Sequence, residues 1–534
     1  MGDDRQTDAS NHTSYSTAKE QPSLVTRPPG WMYKSVRIGP ITLPWYASPQ
    51  VQLVLVAIVC FLCVGMYNAL SGLGGGGQLS AKPADNANTA LYSTFSVVGF
   101  FAGTFANRLG IRLTLSLGGL GYCVYASSFL CYSHTKSDGY VIFSGALLGV
   151  CAGLLWTAQG AIMMSYPPEH SKGKYISWFW SIFNLGAVIG ALIPLALNVK
   201  ATSNSTVSDA TYIGFIILMF IGALAALCLC DAGKVMRSDG SHVILMKNPT
   251  WQSEIWGLWY TLRNNTYILL LFPMFFASNW FYTYQFNGIN GAHFNTRTRA
   301  LNNVLYWAAQ IAGAFVAGYS LDMNRFRRVV RARAALLGLF ILTGGIWGGG
   351  LAYQSSVPDR DITSQPDYHG KLDWTSPGYA GPCVLYVSYG FYDAVWQLCV
   401  YWFMGALSNS GRKTANFAGF YKGIQSAGAA IIWRIDAMEK PFMIEFAATW
   451  AVLAGALVIA APVILLKIKD VTPIEEDLQF TDLNYADIVP QAYIGEDKHS
   501  LNTRATDTEH RSPSAMDKDM ELSSIQRDKM SEDA

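Results

Sequence analysis

Charge is the first thing this sequence lacks. Of 534 residues only 14% are charged while 51% are hydrophobic, too apolar a balance for a soluble protein of this length. Histidine is sparse as well, eight residues scattered through loops and tails. There is no H-E-x-x-H pair to hold a catalytic zinc, no G-x-S-x-G elbow and no acidic pair at catalytic spacing. Enzymatic chemistry is therefore not expected, and no metal or cofactor is implied. No basic stripe interleaved with aromatics offers a surface to nucleic acid, and the net charge is only +2. The nine cysteines lie mostly inside apolar runs and read as small core residues; the Cys60-x-x-Cys63 pair has no histidine or second pair near it. The opening "MGDDRQTDASNHTSYSTAKEQPS" lacks the basic start and short apolar core of a signal peptide, so the first apolar run is expected to be a retained span. Gly2 is not followed by Ser or Thr at position six, which gives no sign of a lipid anchor.

What the sequence has is apolar length. A helix crosses the hydrocarbon core with about 20 mostly apolar residues, because every backbone polar group must be paired internally. Twelve runs qualify: 50–72, 89–107, 112–132, 140–165, 175–198, 211–231, 267–287, 299–320, 332–353, 379–404, 415–435 and 443–466. Lys and Arg concentrate in alternate loops, notably at Arg108, Lys172, Lys174 and the run from Arg325 to Arg333. The positive-inside rule then puts both termini in the cytoplasm. The plasma membrane is the expected location, with an endomembrane as the alternative. Of three N-x-S/T sequons only the one at Asn204 falls in an outer loop, and it is the candidate glycosylation site.

The organisation expected is a disordered tail over 1–48, a six-helix half over 49–231, a linker over 232–266, a second six-helix half over 267–466 and a disordered, Ser- and charge-rich tail over 467–534. Within the linker, Trp251, Ile255, Trp256, Trp259 and Leu262 share one helical face. That face suits a helix resting in the headgroup region, and it equally suits a packed linker helix.

The halves echo each other. "GTFANRLGIR", 103–112, has a counterpart in "GYSLDMNRFRR", 318–328, with Gly103 matching Gly318 and Asn107 matching Asp322. "LLWTAQG" and "DAVWQLC" align through Trp156 and Trp396. Two six-helix parallel repeats are the consequence.

Here the chain resembles the major facilitator superfamily of transporters. The family's inner-loop signature stands as Gly103, Asn107, Arg108, Gly110 and Arg112, echoed by Gly318, Asp322 and Arg325. The resemblance implies an all-α, twelve-helix membrane fold in which a carboxylate at the inner end of helix two pairs with the N-terminal end of helix eleven and closes the inner gate. Asn107 departs from that pattern, being neutral where the family usually carries Asp, so the lock it makes should be weaker. "MYNALSGLGGGGQ", 66–78, and "FYKGIQSAGAAIIWRID", 420–436, are similar to the Unc-ninety-three-like branch and its fungal members. Members of that branch include proposed transporters, a regulator of potassium channels and a trafficking chaperone of receptors.

The glycine run "GLGGGGQ" lacks the Lys-Ser/Thr of a phosphate-binding loop and reads as a helix end that bends or meets a neighbour closely. Spans one to five contain no Asp or Glu, whereas span ten carries Asp393 and span eleven Lys422. Ionisable groups in hydrocarbon are costly and so are functional candidates. Tyr389, Asp393 and Gln397 recur every fourth residue and should face a central cavity, joined there by Gln159, Trp156, Asn68, Asn184, Asn279, Gln285, Gln310 and Gln425. Two readings stand for Asp393 and Lys422: a fixed buried pair that holds the bundle, or groups that bind and couple. Arg434 and Asp436 are expected to pair at the outer end of span eleven. The function expected is alternating-access transport of a small solute or ion through the bilayer, with Asp393 as the coupling acid. The alternative is a non-transporting membrane subunit that regulates or escorts a protein partner, a channel or receptor.

Overall fold

The computed structural model describes residues 28–78, 80–167, 172–200, 207–237, 251–323, 325–365, 368–408 and 411–470. The ends named inner and outer follow the loop charge. Among the described residues, eight helices are long and apolar enough to cross a membrane. They fill eight of the twelve apolar runs, and the other four runs are helical as well but more polar or more broken.

The first run is two helices, α1 (Pro49–Leu62) and α2 (Val64–Gly72), hinged at Cys63. Ser48 caps α1 by accepting from the Val51 amide at 3.3 Å. The second and third runs form one element, α3 (Lys82–Thr135), broken at Gly110, whose φ of 78° and ψ of 156° only glycine adopts without strain. Then follow α4 (Asp138–Ser165), α5 (Lys172–Asn198) and α6 (Asp209–Ala225).

The second half opens with a broken span: a 3-10 stretch Thr266–Leu271, the short α8 (Phe272–Ala277) and a π-helical turn Tyr284–Gly291. We number the helix of the preceding linker α7 (Trp251–Asn264), and the succession ends with α9 (Thr296–Leu321), α10 (Arg328–Gln354), the short outer α11 (Arg360–Thr363), α12 (Ala380–Leu407), α13 (Gly411–Ala437) and α14 (Phe442–Leu466). The halves meet along two seams, α5 against α9 and α3 against α13. Among the largest side chains sealed in the interior are Trp307, Trp347 and Trp396, with a set of tyrosines around them.

Two segments differ from expectation. Part of the tail expected to be disordered, 28–48, is folded: a turn at Trp31–Tyr33, then strands β1 (Val36–Ile38) and β2 (Ile41–Leu43) paired antiparallel. It is tied to the start of the linker, with Tyr33 donating to the Lys234 carbonyl at 2.9 Å and the Met236 amide to the Ala47 carbonyl at 3.1 Å. Buried Trp45 supplies the apolar surface that such a short segment needs to order. In the linker, α7 turns Leu258 and Leu262 to the bundle and leaves Ile255, Trp256 and Trp259 outward, Trp256 69% and Trp259 55% exposed. The face expected as one stripe is thus divided between bundle and surroundings. Asn204 and residues 471–534 lie outside the described residues.

Candidate functional site

A cavity of about 70 Å³ lies between the halves. Asn68 on α2 and Trp156 on α4 line it from the first half; Asn279 beyond α8, Gln310 on α9, Gln397 on α12, and Lys422 and Gln425 on α13 line it from the second. Aromatic rings of Tyr92, Trp180, Phe183, Tyr282 and Trp307 complete the wall. Such a space has room for roughly five waters or one small ion.

Most of the polar lining is one connected relay. The Lys422 ammonium donates to Gln425 Oε1 at 2.9 Å, and Gln425 Nε2 donates to Asn279 Oδ1 at 2.9 Å and Gln397 Oε1 at 3.2 Å. Gln397 Nε2 donates in turn to the Ser278 carbonyl at 2.9 Å and, more weakly, toward Asp393 Oδ1 at 3.4 Å. Asp393 also accepts from the Gln310 amide, and Tyr306 donates to it at 3.2 Å. Trp180 in the first half reaches Gln310 Oε1 at 3.3 Å, so the relay crosses the seam.

Asp393 and Lys422 stand apart in this relay. No carboxylate among the described residues pairs with Lys422, whose ammonium instead lies 4.5 Å from the Trp156 ring centroid, 4.9 Å from Tyr421 and 5.5 Å from Tyr401. Three aromatic faces offset part of the desolvation of one cation. Asp393 is fully buried behind Gln310 and Gln397 and does not line the cavity.

The remaining sequence candidates sit elsewhere. Tyr389 turns away from the cavity, its ring 4.8 Å from Trp347 inside the second half. Every fourth residue of a helix is displaced by about 40° around its axis, so the row that brings Gln397 to the cavity carries Tyr389, two steps back, off it. Gln285 accepts from Tyr306 at 2.7 Å, behind the wall. Gln159 and Asn184 are buried outside the lining, each with amide atoms that find no partner among the described residues. Arg434 does not pair with Asp436: it is exposed, and Asp436 takes Arg360 instead. Residues two apart on a helix do not face each other.

At the inner end, Asp322 Oδ2 accepts from the Lys174 amide at 2.7 Å. A carboxylate from the second half thereby caps the first turn of α5 in the first half, where helix dipole and free amides favour an anion. Gly318 lets this contact close, since a Cβ there would stand 2.6 Å from that of Ser177. In the first-half copy, Arg112 pairs with Asp231 at 3.4 Å, while Arg108 is exposed; in the second-half copy, Arg325 lies in the turn before α10. The side chains of Gly103 and Asn107 lie outside the described ones.

The outer end was hardly visible in the sequence. Gly74, Gly75, Gly76 and Gly77 all take positive φ, and the loop they form is read through its backbone. Arg299, only 5% exposed, donates Nε to the Leu73 carbonyl and Nη2 to that of Gly74, both at 2.7 Å. Asn290 and Asn303 donate to the carbonyls of Gly72 and Ala69 at 2.9 and 2.7 Å, and the Gly75 amide donates to Asn287 at 2.9 Å. The available signal was "QFNGINGAHFNTRTRALNN", whose amides and arginine are too polar for lipid and need partners.

Comparison with known proteins agrees with this architecture. A family model described as Major Facilitator Superfamily matches residues 53–433. A UNC93-like protein of Schizosaccharomyces pombe is 51% identical over 447 residues, covering 84% of this chain and 88% of its own. UNC93-like protein 1 of Arabidopsis thaliana is 46% identical over 408 residues, 76% of this chain and 88% of its own. Among solved structures, the proton:xylose symporter XylE superposes with a TM-score of 0.55 at 11% identity, covering 80% of this chain and 98% of that one. The fucose:proton symporter FucP of E. coli does so at 0.53 and 12%, over 78% and 98%. At such identities the likeness is one of fold.

Proposed function

Since the chain belongs to the major facilitator superfamily and, within it, to the UNC93-like proteins, we propose that it moves a small solute or ion across its membrane by alternating access. The observation that carries this reading is the relay itself. A fixed ion pair would be neutral and inert, whereas Lys422 in the cavity wall and Asp393 behind it are each held by neutral amides and form no ion pair with each other. Rocking of the halves would expose that cavity to one side and then the other. Asp393 is the group we assign to coupling, through Gln310 and Gln397, and Lys422 the group that meets the cargo.

In this reading both termini are cytoplasmic, α7 lies along the inner leaflet with Trp256 and Trp259 in the headgroups, and the plasma membrane is the site of action; the loop charges and the exposed aromatic face support it. A second reading, a bundle that escorts or regulates a channel or receptor, draws on the same aromatic face as a docking surface. The absence of Asp and Glu from spans one to five and the neutral Asn107 lean the same way, against which stands Asp85, a buried acid in the first turn of α3.

The test uses purified protein in proteoliposomes, with cargo first found by solute-dependent thermal shift. Asp393→Asn is expected to reduce uptake driven by a pH gradient to background while membrane expression stays normal. Undiminished pH-driven uptake would remove Asp393 from coupling. Stoichiometric capture of a channel or receptor by a protein that no solute stabilises would favour the escort reading.

A further inference from the structure

At the outer end of the seam between α3 and α13, beside the glycine loop, three carboxyl groups gather around one guanidinium. Asp85 in the first turn of α3 is 1% exposed, and Asp436 at the end of α13 and Glu445 in the first turn of α14 are fully buried. Arg360, on α11, sends Nη2 to Asp436 Oδ1 and to Glu445 Oε1, the latter at 2.9 Å, and Nη1 to the Asp436 carbonyl at 3.0 Å. A single nitrogen of Asn287 donates to Asp85 Oδ1 at 2.8 Å and to Asp436 Oδ2 at 2.6 Å. The carboxyls of the two halves are therefore no farther apart than two hydrogen-bond lengths. Glu445 Oε2 is buried with no partner among the described residues.

The charges of this cluster do not balance. One arginine neutralises one carboxylate; Asn287 offers hydrogen bonds but no charge. Fully ionised, the cluster would hold two uncompensated negative charges in a seam that excludes water, where like charges drive proton uptake. Among the described residues, the groups facing it add no uncompensated cation. Tyr125 on α3 and Tyr284 on the π-helical turn are neutral phenols, Asp359 is spent on the amides of Phe442 and Met443, and Lys82 and Glu439 pair with each other above it at 3.7 Å. Arg299 is engaged by the glycine loop, and Lys371 donates to the Gly291 carbonyl at 2.9 Å.

We propose that Asp85, Asp436 and Glu445, organised by Arg360 and Asn287, form a proton-binding site that ties closure of the outer gate to protonation. The closed seam holds at least one proton, shared by the cluster rather than owned by one residue. When the first half swings outward, Asp85 leaves Asn287 and Asp436, water enters, and an O–H bond of the cluster ionises to deliver its proton to the outer solvent. Closure takes a proton back from that side. This rests on the alternating-access reading, since it needs a gate that opens.

The experiment is a distance measurement on the purified full chain in nanodiscs, by double electron–electron resonance. Spin labels replace the exposed pair, Lys82→Cys and Glu439→Cys, in a background without other accessible cysteines. Two populations are expected, and the open-to-closed ratio should rise with pH, by up to about tenfold per unit for each proton released. Asp85→Asn and Glu445→Gln, both near-isosteric, should each flatten that slope and favour the short distance, whereas Lys371→Met should leave the slope intact. Two populations in a ratio that ignores pH would overturn the proposal alone, as would a full slope in both carboxyl variants. One unchanging distance at every pH, together with transported cargo absent from proteoliposomes, would overturn the alternating-access reading beneath it.

Discussion

At the outer end of the seam the halves are joined by main-chain carbonyls of a glycine loop, a nearly fully buried arginine and a desolvated charge cluster. At the inner end, among the described residues, the joint is one half-buried carboxylate, Asp322, accepting a single amide proton, with Ser177 donating to the Ala314 carbonyl at 3.1 Å beside it. Separating the outer end means rehydrating many paired groups at once, while the inner end, among the described residues, gives up one charge–dipole contact and one hydroxyl–carbonyl bond, both of which water can replace. The conformation is thus locked outside and lightly latched inside, and it should relax toward the inner side.

Breaking the outer lock should have the largest effect. Gly74 has φ of 76°, and a Cβ there would stand 2.6 Å from the Phe286 carbonyl oxygen. Gly74→Ala should weaken outer closure by about 2 to 5 kcal/mol, the sum of left-handed strain and overpacking. In the spin-label experiment the long distance should then dominate at every pH; an unchanged distribution would mean that the loop contributes little to closure.

Loosening the inner latch should do less. Asp322→Asn removes a charge from the N-terminus of α5 at a cost of about 1 kcal/mol, which amounts to roughly a fivefold rise in inner opening. A Ser177→Cys reporter, buried beside Gly318, reads this as faster labelling by a small maleimide. Equal labelling with Asp or Asn at 322 would place the latch elsewhere.

The smallest effect concerns the loop that roofs the second half. Arg297 grips Asp373 at 2.5 Å and holds that carboxyl well below the usual carboxylate range, so this contact is indifferent to pH above it. Lys371 in the same loop is pulled down to about 7 by burial and by nearby Arg299. Its docked form binds fewer protons than a free lysine between about 7 and about 10.4. Docking should therefore strengthen as pH rises through that window and be weakest below about 7. Hydrogen exchange of residues 368–376, corrected for intrinsic rates, should slow accordingly, and Lys371→Met should abolish the trend without touching the Arg297 contact.

Much of the helical frame was legible because hydrocarbon demands long apolar runs, and the break at Gly110 was legible because only glycine and charge punctuate such runs. Asp85 escaped notice for the same reason in reverse. Hydropathy begins the second run at 89, but the helix starts at Lys82 and its polar first turn is buried in the seam rather than solvated. The candidates now found around the cavity, such as Gln397, Gln425 and Lys422, were readable as polar groups that lipid would reject. Which way they faced was harder: Tyr389 went astray through helical drift, and Gln159 and Asn184 because polarity does not say which interior a group enters. Arg360 carried no expectation, since sequence gives no hint that the long outer loop folds back onto α13 and α14.

Arg299 grasps peptide carbonyls rather than side chains, and this makes the outer fastening a matter of chain path, not of chemical lettering. Substitutions in the cavity wall can therefore change what is carried without rewriting the fastening. Conversely, an inhibitor that offers two acceptor oxygens at the spacing of successive carbonyls would compete for Arg299 and hold the molecule ajar, whatever its natural cargo.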